Sequence, residues 1–252
     1  MTNIFKSARL PECFLVVALG FLGFKFSEIP TNIEALVVLF FIILSTMLQN
    51  DWRDRVHDIN KGKTFAHNKP KQFIVYVVLM WMVSFGSILQ LSFSNPLVSG
   101  ILLVMAIVGL FYSEARHVPF LSVTLVTITV ASSTLLPLGF GSSFGDIALL
   151  FFTTACIMFG RETLHDINDV RVDIGYKKTI PVIIGDTVAR ISSMISLLIG
   201  CILAIIISPL NIISVCFILW GLSIVLKDPL VTTVRKRIDI GLVLLALTFV
   251  LL

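Results

Sequence analysis

Two short stretches concentrate acidic residues in a chain that is otherwise mostly apolar. The stretch "NDWRDRVHD" occupies residues 50–58, "HDINDVRVD" occupies residues 165–173, and each contains the pattern Asp-x-x-Asp-x-x-x-Asp. We call residues 50–58 the first aspartate motif and residues 165–173 the second aspartate motif. Their aspartates are Asp51, Asp54 and Asp58 in the first, and Asp166, Asp169 and Asp173 in the second. Because the same spacing occurs twice, it indicates a shared chemical task.

The spacing suggests what that task is. On an α-helix, offsets of zero, three and seven residues fall along one face, so each motif predicts a stripe of carboxylates. Like charges so close together repel unless a cation lies among them. A hard divalent cation with oxygen ligands is the natural partner, and Mg²⁺ typically binds through one or two carboxylates together with substrate phosphates. A single charged run at a membrane boundary is usually a solvated helix end, but repeated acidic groups beside membrane helices favour a functional site.

The composition places these motifs in a membrane protein. Of 252 residues, 57% are hydrophobic and 13% are charged, whereas about a quarter of the residues of a soluble domain are charged. A membrane-spanning helix needs roughly 20 apolar residues. Nine stretches qualify as candidates, near residues 10–27, 33–49, 72–92, 96–113, 118–138, 145–162, 189–208, 210–226 and 238–252, with breaks placed at "SFSNP" and "SPLN". We therefore predict an all-α polytopic membrane protein with about nine transmembrane helices, forming a single domain over residues 1–252.

The basic residues predict how the chain is oriented. Lysine and arginine accumulate in cytoplasmic loops. With the N-terminus inside, Lys25 is the one member of the 19 lysines and arginines that falls in an outer connection. This asymmetry predicts an integral membrane protein with both motifs on the cytoplasmic side, in the plasma or inner membrane if the source is prokaryotic. It also explains the net charge of +4, so the predicted partner is the lipid bilayer and not a nucleic acid.

The motifs resemble those of a known family. The first is similar to the N-D-x-x-D-x-x-x-D motif of the UbiA superfamily of intramembrane prenyltransferases, and the second, followed by "IGYKKTIPVIIG", is similar to that family's second motif. "ARLP" at 8–11 and "YSEAR" at 112–116 resemble two weaker family features. The resemblance implies helices around a central cavity open to the cytoplasmic side, with the two motifs facing each other. It also implies transfer of a prenyl group from an isoprenyl diphosphate to a hydrophobic or amphipathic acceptor.

The resemblance and the chemistry assign roles to individual residues. Ionisation of an allylic diphosphate requires neutralisation of the leaving group, which carboxylate-held Mg²⁺ ions supply. One Mg²⁺ would be bound by Asn50, Asp54 and Asp58, and the other by Asp169 and Asp173. The carboxylates expected to act in catalysis are Asp51, Asp54, Asp166 and Asp169. The cations expected to bind diphosphate are Arg9, Lys61, Lys63, Arg116, Lys177 and Lys178. The candidates on the acceptor side are Tyr112, Glu162 and His165.

Two positions depart from the family pattern. Members commonly follow the first motif with an Asn-(Lys/Arg)-Pro-x-Arg-Pro run, whereas "INKGKTFAHNKP" contains no arginine. Lys61, Lys63, Lys69 or Lys71 would then supply the cation of this loop. The family's Tyr-x-x-x-Lys motif has Arg116 in place of its lysine, which keeps the charge but changes the geometry of the donor.

Several functions use similar residues. Within the family, the acceptor could be an aromatic quinone precursor or a glycerol-phosphate lipid precursor, and a terpene cyclase would use the same metal site. A membrane cation transporter could also repeat acidic clusters, although its sites usually lie near mid-membrane in broken helices. A non-catalytic membrane scaffold is the third alternative. A CDP-alcohol phosphotransferase does not fit, because its motif requires glycines and an Ala-Arg pair that both copies lack.

Overall fold

The computed structural model describes residues 7–57, 59, 65–227 and 231–251, and within these ranges the side chains of Val172, Arg235, Ala246 and residues 249–251 are not described. The described residues form helices and turns and no strand, which confirms the all-α prediction. Six helical segments among them are long and apolar enough to cross a membrane.

Eleven α-helices are named here in chain order. They are α1 (Leu10–Phe26), α2 (Ile33–Arg53), α3 (Phe65–Asn68), α4 (Pro70–Ser94), α5 (Pro96–Ala115), α6 (Leu121–Ser132), α7 (Phe144–Asp173), α8 (Ile180–Ile184), α9 (Asp186–Ile207), α10 (Ile212–Leu222) and α11 (Thr232–Leu251). Two 3₁₀ helices, Ser133–Phe140 and Pro209–Asn211, continue from α6 and precede α10.

Each of the nine predicted apolar segments coincides with a described helix. The breaks predicted at "SFSNP" and "SPLN" are also present, because α4 ends at Ser94 before Pro96 and α9 ends at Ile207 before Pro209. Proline lacks a backbone N–H and disfavours the helical conformation of the residue before it, which is why both helices end there. The crossing of the membrane by all nine segments, the cytoplasmic orientation and the single domain stay predictions.

The chain divides into two compact units. The first comprises Met1–Ser113 and Leu135–Ser142 and contains α1 to α4 and nearly all of α5. Buried polar contacts join α2 to α4, among them a hydrogen bond of 2.9 Å between the hydroxyls of Ser45 and Ser84. Interhelical hydrogen bonds of this kind help to hold membrane helices together, since the hydrophobic effect contributes little within lipid.

The second unit comprises Glu114–Thr134 and Ser143–Leu252. Its longest helix, α7, lies against α9 through two hydroxyl-to-carbonyl hydrogen bonds. Ser193 donates to the Gly160 carbonyl at 2.8 Å, and Ser196 donates to the Cys156 carbonyl at 2.7 Å. Small residues at such a contact let the backbones approach closely. This close contact fixes the position of α7, the helix that carries the second aspartate motif.

Candidate active site

The first aspartate motif lies at the end of α2, in the first unit. Asn50 and Asp51 are in the last turn of the helix, and Asp54 caps it, with its N–H donating to the Asn50 carbonyl at 2.9 Å. The three side chains are buried, with exposed fractions of 4%, 1% and 3% in the same order. Burial of carboxylates is costly unless they are paired or bind a cation, so this cluster is not an ordinary solvated helix end.

The expectation of one helical stripe is wrong for this motif. The helix ends at Arg53, and the backbone at Asp54 has φ −81° and ψ 2°. The next apolar side chain, Val56, is 58% exposed. Since a helix in a protein is stabilised mainly by packing of an apolar face, no such face extends α2 beyond this point. Asp58 lies outside the described residues.

Arg9, predicted to bind diphosphate, lies on the first motif. Its Nη2 is 3.1 Å from Oδ1 of Asp51, and the pair joins the start of α1 to the end of α2. Arg9 adopts a left-handed backbone conformation, with φ 44° and ψ 51°, which costs a residue other than glycine about 1–3 kcal/mol. The pairing of Arg9 with Asp51 places a cation within the first motif.

The oxygen atoms of this motif fit Mg²⁺. Asn50 Oδ1 is buried and has no hydrogen-bond partner among the described residues. A buried carbonyl-type oxygen without a partner is costly. This oxygen and the neighbouring carboxylate of Asp54 are suitable ligands for a hard cation. The described chain contains no group of three or more His, Cys, Asp or Glu side chains able to hold a metal.

The second aspartate motif lies in the second unit, on the uninterrupted last turns of α7. Here the predicted helical stripe is present, because Asp166, Asp169 and Asp173 all belong to this helix. Asp173 is its last residue and is 2% exposed. The Lys177 ammonium is 3.1 Å from Asp173 Oδ1, so a predicted diphosphate-binding cation is paired with a predicted metal ligand.

The turn after α7 brings a second cation to this motif. The backbone N–H groups of Tyr176 and Lys177 both donate to the Asp173 carbonyl, at 2.9 and 2.8 Å, and the Lys178 N–H donates to the Arg116 carbonyl at 2.8 Å. Arg116 is buried, with 7% exposed, and its charge and that of Lys177 both act on Asp166. Two of the predicted cations therefore lie at the second motif, while the Lys178 side chain is exposed. Lys61 and Lys63 lie outside the described residues.

Two of the three acceptor-side candidates have a charged side chain as a neighbour. Glu162 Oε1 accepts from Arg161 Nη1 at 2.7 Å, and its charge acts on Asp166. The His165 Nδ1 is 3.9 Å from Asp169 Oδ2, at the limit of an ion pair if the imidazole is protonated. Tyr112 is half-buried in the last turn of α5.

Two residues near the motifs were not predicted. Asp239 on α11 accepts from Arg161 Nε at 2.8 Å, across 78 positions of the chain, so Arg161 bridges it to Glu162. An aspartate inside an apolar stretch is itself a signal of function or pairing. Gln49 directly precedes Asn50 and is 5% exposed. Its hydrogen-bond partners, Trp81 and Leu110, are distant in the chain, so no spacing in the sequence indicated these contacts.

A helical chain with six helices long and apolar enough to cross a membrane, and with a carboxylate paired to a cation in each of two motifs, has the features of an intramembrane enzyme. The sequence profile of the UbiA prenyltransferase family matches residues 13–234. The chain belongs to this family and is an intramembrane prenyltransferase. The resemblance predicted from the motifs is thereby confirmed.

Two solved structures are similar over nearly the whole chain. A structure from work on digeranylgeranylglyceryl phosphate synthase in membranes has a TM-score of 0.71 at 17% identity, covering 99% of this chain and 97% of the other. An apo UbiA homologue from Aeropyrum pernix K1 has a TM-score of 0.75 at 13% identity, covering 96% and 98%. At these identities the likeness concerns the fold. No curated protein matches the chain.

Proposed function

We propose that the chain transfers a prenyl group from an isoprenyl diphosphate to a hydrophobic or amphipathic acceptor, in a reaction that requires Mg²⁺ and releases diphosphate. The observation that carries this proposal is the burial of Asp51, Asp54 and Asp173 at the ends of apolar helices, where they are 1%, 3% and 2% exposed, together with the pairing of Asp51 and Asp173 with cations. Carboxylates held in this way are suited to binding a metal ion that carries phosphate. They do not favour insertion of the helix into the membrane, because a charged side chain within the bilayer is costly.

The two motifs divide the metal-binding residues. We assign Asn50, Asp54 and Asp58 to one Mg²⁺ and Asp169 and Asp173 to the other, as the family resemblance implies. When bound, Mg²⁺ stabilises the negative charge that develops on the diphosphate as the carbon–oxygen bond breaks.

The bond changes balance as follows. The C1–O bond of the prenyl diphosphate breaks and its electron pair leaves with the diphosphate. C1 then forms a bond to the acceptor, which loses a proton. His165, the first residue of the second motif, or Glu162, three residues before it, is the proposed recipient of that proton or of a hydrogen bond from the acceptor.

The cations bind the phosphate oxygens. Arg9 and Lys177 are paired with Asp51 and Asp173, and a diphosphate with its Mg²⁺ can exchange these partners, since charge-assisted hydrogen bonds to phosphate are strong. Arg116 supplies a planar donor at the second motif. Lys61, Lys63 and Lys178 complete the proposed set from the adjoining loops.

The acceptor belongs to one of two classes, an aromatic quinone precursor or a glycerol-phosphate lipid precursor. The structural similarity to the digeranylgeranylglyceryl phosphate synthase structure supports including the second class. The active site faces the cytoplasm in this proposal, in agreement with the lysine and arginine asymmetry. Family membership favours this function over a cation transporter.

The test is a product analysis of the purified protein. Prenyl diphosphates of several lengths are incubated with Mg²⁺, with and without aromatic and glycerol-phosphate acceptors, and products are identified by mass. Asp54→Asn and Asp169→Asn are expected to lower turnover by about 10²–10³, the usual cost of removing one preorganised electrostatic group. Asp146→Asn is the matched control, because this aspartate caps the opposite end of α7, and it should keep wild-type turnover.

The outcomes separate the alternatives. An acceptor-bound prenyl product supports the proposed transfer, whereas a cyclised hydrocarbon indicates a cyclase. Full turnover in excess chelator contradicts the metal dependence. The absence of diphosphate release under every condition contradicts the proposed function and favours a transporter or a non-catalytic role.

A further inference from the structure

Gln49 lies directly before the first aspartate motif and has both ends of its side-chain amide engaged. Its Nε2 donates to the Leu110 carbonyl at 2.6 Å, and its Oε1 accepts from Trp81 Nε1 at 2.6 Å. Gln49 and Trp81 are 5% and 7% exposed. These two hydrogen bonds connect the end of α2 to α4 and to α5, all within the first unit.

The direction of these bonds matters for the motif. Successive residues of an α-helix are about 100° apart, so Gln49 and Asp51 project to opposite sides of Asn50. By the same geometry, Asp54 lies about 40° from Asn50. One flank of this helix end is held through Asp51 by Arg9, the N-cap residue of α1, and the other is held through Gln49. The face between the two flanks carries Asn50 and Asp54.

The rotation of this helix end therefore determines where the oxygens of Asn50 and Asp54 point. Asn50 Oδ1 is buried and has no hydrogen-bond partner in the described part of the chain, so no described hydrogen bond of its own orients it. Hydrogen bonds behind metal ligands commonly determine how the ligands are presented to the ion. The bonds made by Gln49 are positioned to serve this purpose through the backbone.

We propose that Gln49 and Trp81 are positioning residues, which hold the end of α2 so that Asn50 and Asp54 bind Mg²⁺ together with diphosphate. The inference rests on the proposed function, because it requires that these two residues are metal ligands. Neither Gln49 nor Trp81 touches the metal or the substrate in this proposal.

The chain offers a matched control for this network. Ser45 and Ser84 form a buried hydrogen bond of 2.9 Å between the same two helices, α2 and α4. Ser45 is one helical turn before Gln49, and Ser84 is three residues after Trp81. Loss of this bond weakens the same helix contact but leaves the turn next to Asn50 intact. It therefore separates positioning of the motif from general stability.

The experiment measures Mg²⁺ binding without turnover. Thermal unfolding of the purified chain is followed while Mg²⁺ is titrated at a fixed concentration of inorganic pyrophosphate, because a ligand that binds only the folded state raises the unfolding temperature. Gln49→Met keeps the length of the side chain but removes both hydrogen bonds. We expect it to raise the Mg²⁺ concentration for half-maximal stabilisation about tenfold, the lower end of the usual effect of residues that support metal ligands.

Two further variants make the expectation specific. Trp81→Phe removes the donor from the partner helix and should give a similar shift. Combined with Gln49→Met it should add little, since both changes break the same bond. Ser45→Ala is expected to lower the unfolding temperature while the Mg²⁺ midpoint stays at the wild-type value. If Gln49→Met fails to fold, Trp81→Phe decides the question alone.

The outcomes distinguish this inference from the proposed function. If wild type shows no stabilisation by Mg²⁺ and pyrophosphate, or if Asp54→Asn keeps the full response, the metal site itself is wrong. If wild type responds and Asp54→Asn does not, the site stands. In that case a Gln49→Met or Trp81→Phe midpoint equal to that of Ser45→Ala overturns the positioning role.

Discussion

Gly160→Ala should destabilise the second unit and misplace the second aspartate motif. The glycine lies on α7 where this helix contacts α9. A Cβ atom at this position would lie 2.6 Å from Leu197 Cγ and 2.9 Å from the Ser193 carbonyl oxygen. Because one of these atoms belongs to the backbone, rotation of a side chain cannot relieve the clash, and the two helices must move apart.

The size of the effect follows from these distances. Carbon atoms in contact are usually about 3.5–4.0 Å apart, so α9 must shift outward by about 1 Å. Overpacking of this kind typically costs about 1–3 kcal/mol. The shift also stretches the hydrogen bond from Ser193 to the Gly160 carbonyl, and such interhelical bonds contribute about 0.6 kcal/mol on average. A total of about 2–4 kcal/mol corresponds to a fall in Tm of about 4–16 °C for a chain of this size.

Turnover should fall as well, because Asp166 is six residues further along the same helix, about 9 Å along its axis. A displacement of about 1 Å at catalytic groups can reduce the rate by about 10²-fold, and we expect at least tenfold here. The assays are thermal unfolding in detergent and prenyl transfer under saturating Mg²⁺. The control is Gly86→Ala on α4, where a Cβ atom meets nothing within 4 Å. Equal unfolding temperatures for Gly160→Ala and Gly86→Ala would refute the reasoning, and partial recovery by Leu197→Ala in the Gly160→Ala background would support it.

Three other outcomes are expected. Arg161→Met should destabilise the protein by about 1–3 kcal/mol, which is less than the loss of a fully buried ion pair, because the side chain of its partner Asp239 is 38% exposed. Adding Asp239→Asn should restore part of the lost stability in thermal unfolding. No recovery contradicts this pairing. Lys177→Gln should raise KM for the prenyl diphosphate more than it lowers kcat, and an unchanged KM argues against phosphate binding by this lysine. Tyr176→Cys, in a background without the native cysteines, should react with a membrane-impermeant thiol reagent only from the cytoplasmic side, and labelling from outside reverses the predicted orientation.

Local features of the sequence were sufficient to locate the helices and the motifs. The prolines at 96 and 209 ended the preceding helices where expected, because proline acts on its immediate neighbours. The stripe of Asp166, Asp169 and Asp173 was also predicted correctly, since the helix continues to Asp173. In the first motif the same spacing did not give a stripe, because α2 ends at Arg53. Spacing predicts a helical face only where packing continues the helix.

The pairing of charged and polar side chains required the tertiary structure. Arg9 was expected to bind diphosphate, and the sequence contained no indication that Asp51, 42 positions away, would accept its hydrogen bond. The partner of Gln49 on α5 is 61 positions away. In an apolar helix the hydrophobic pattern is nearly uniform, so periodicity does not show which side meets another helix and which meets lipid.

The sequence by itself determined the class of the protein, an apolar helical chain that matches the UbiA prenyltransferase family and carries the same aspartate spacing twice. These properties depend on composition and on residues close together in the chain. Only the tertiary structure decided which chain-distant side chains are paired near the motifs, such as Arg9 with Asp51 and Trp81 with Gln49. The physical reason is that within a membrane every helix is apolar, so helix partners are selected by close packing of small residues and by a few buried hydrogen bonds between chain-distant positions.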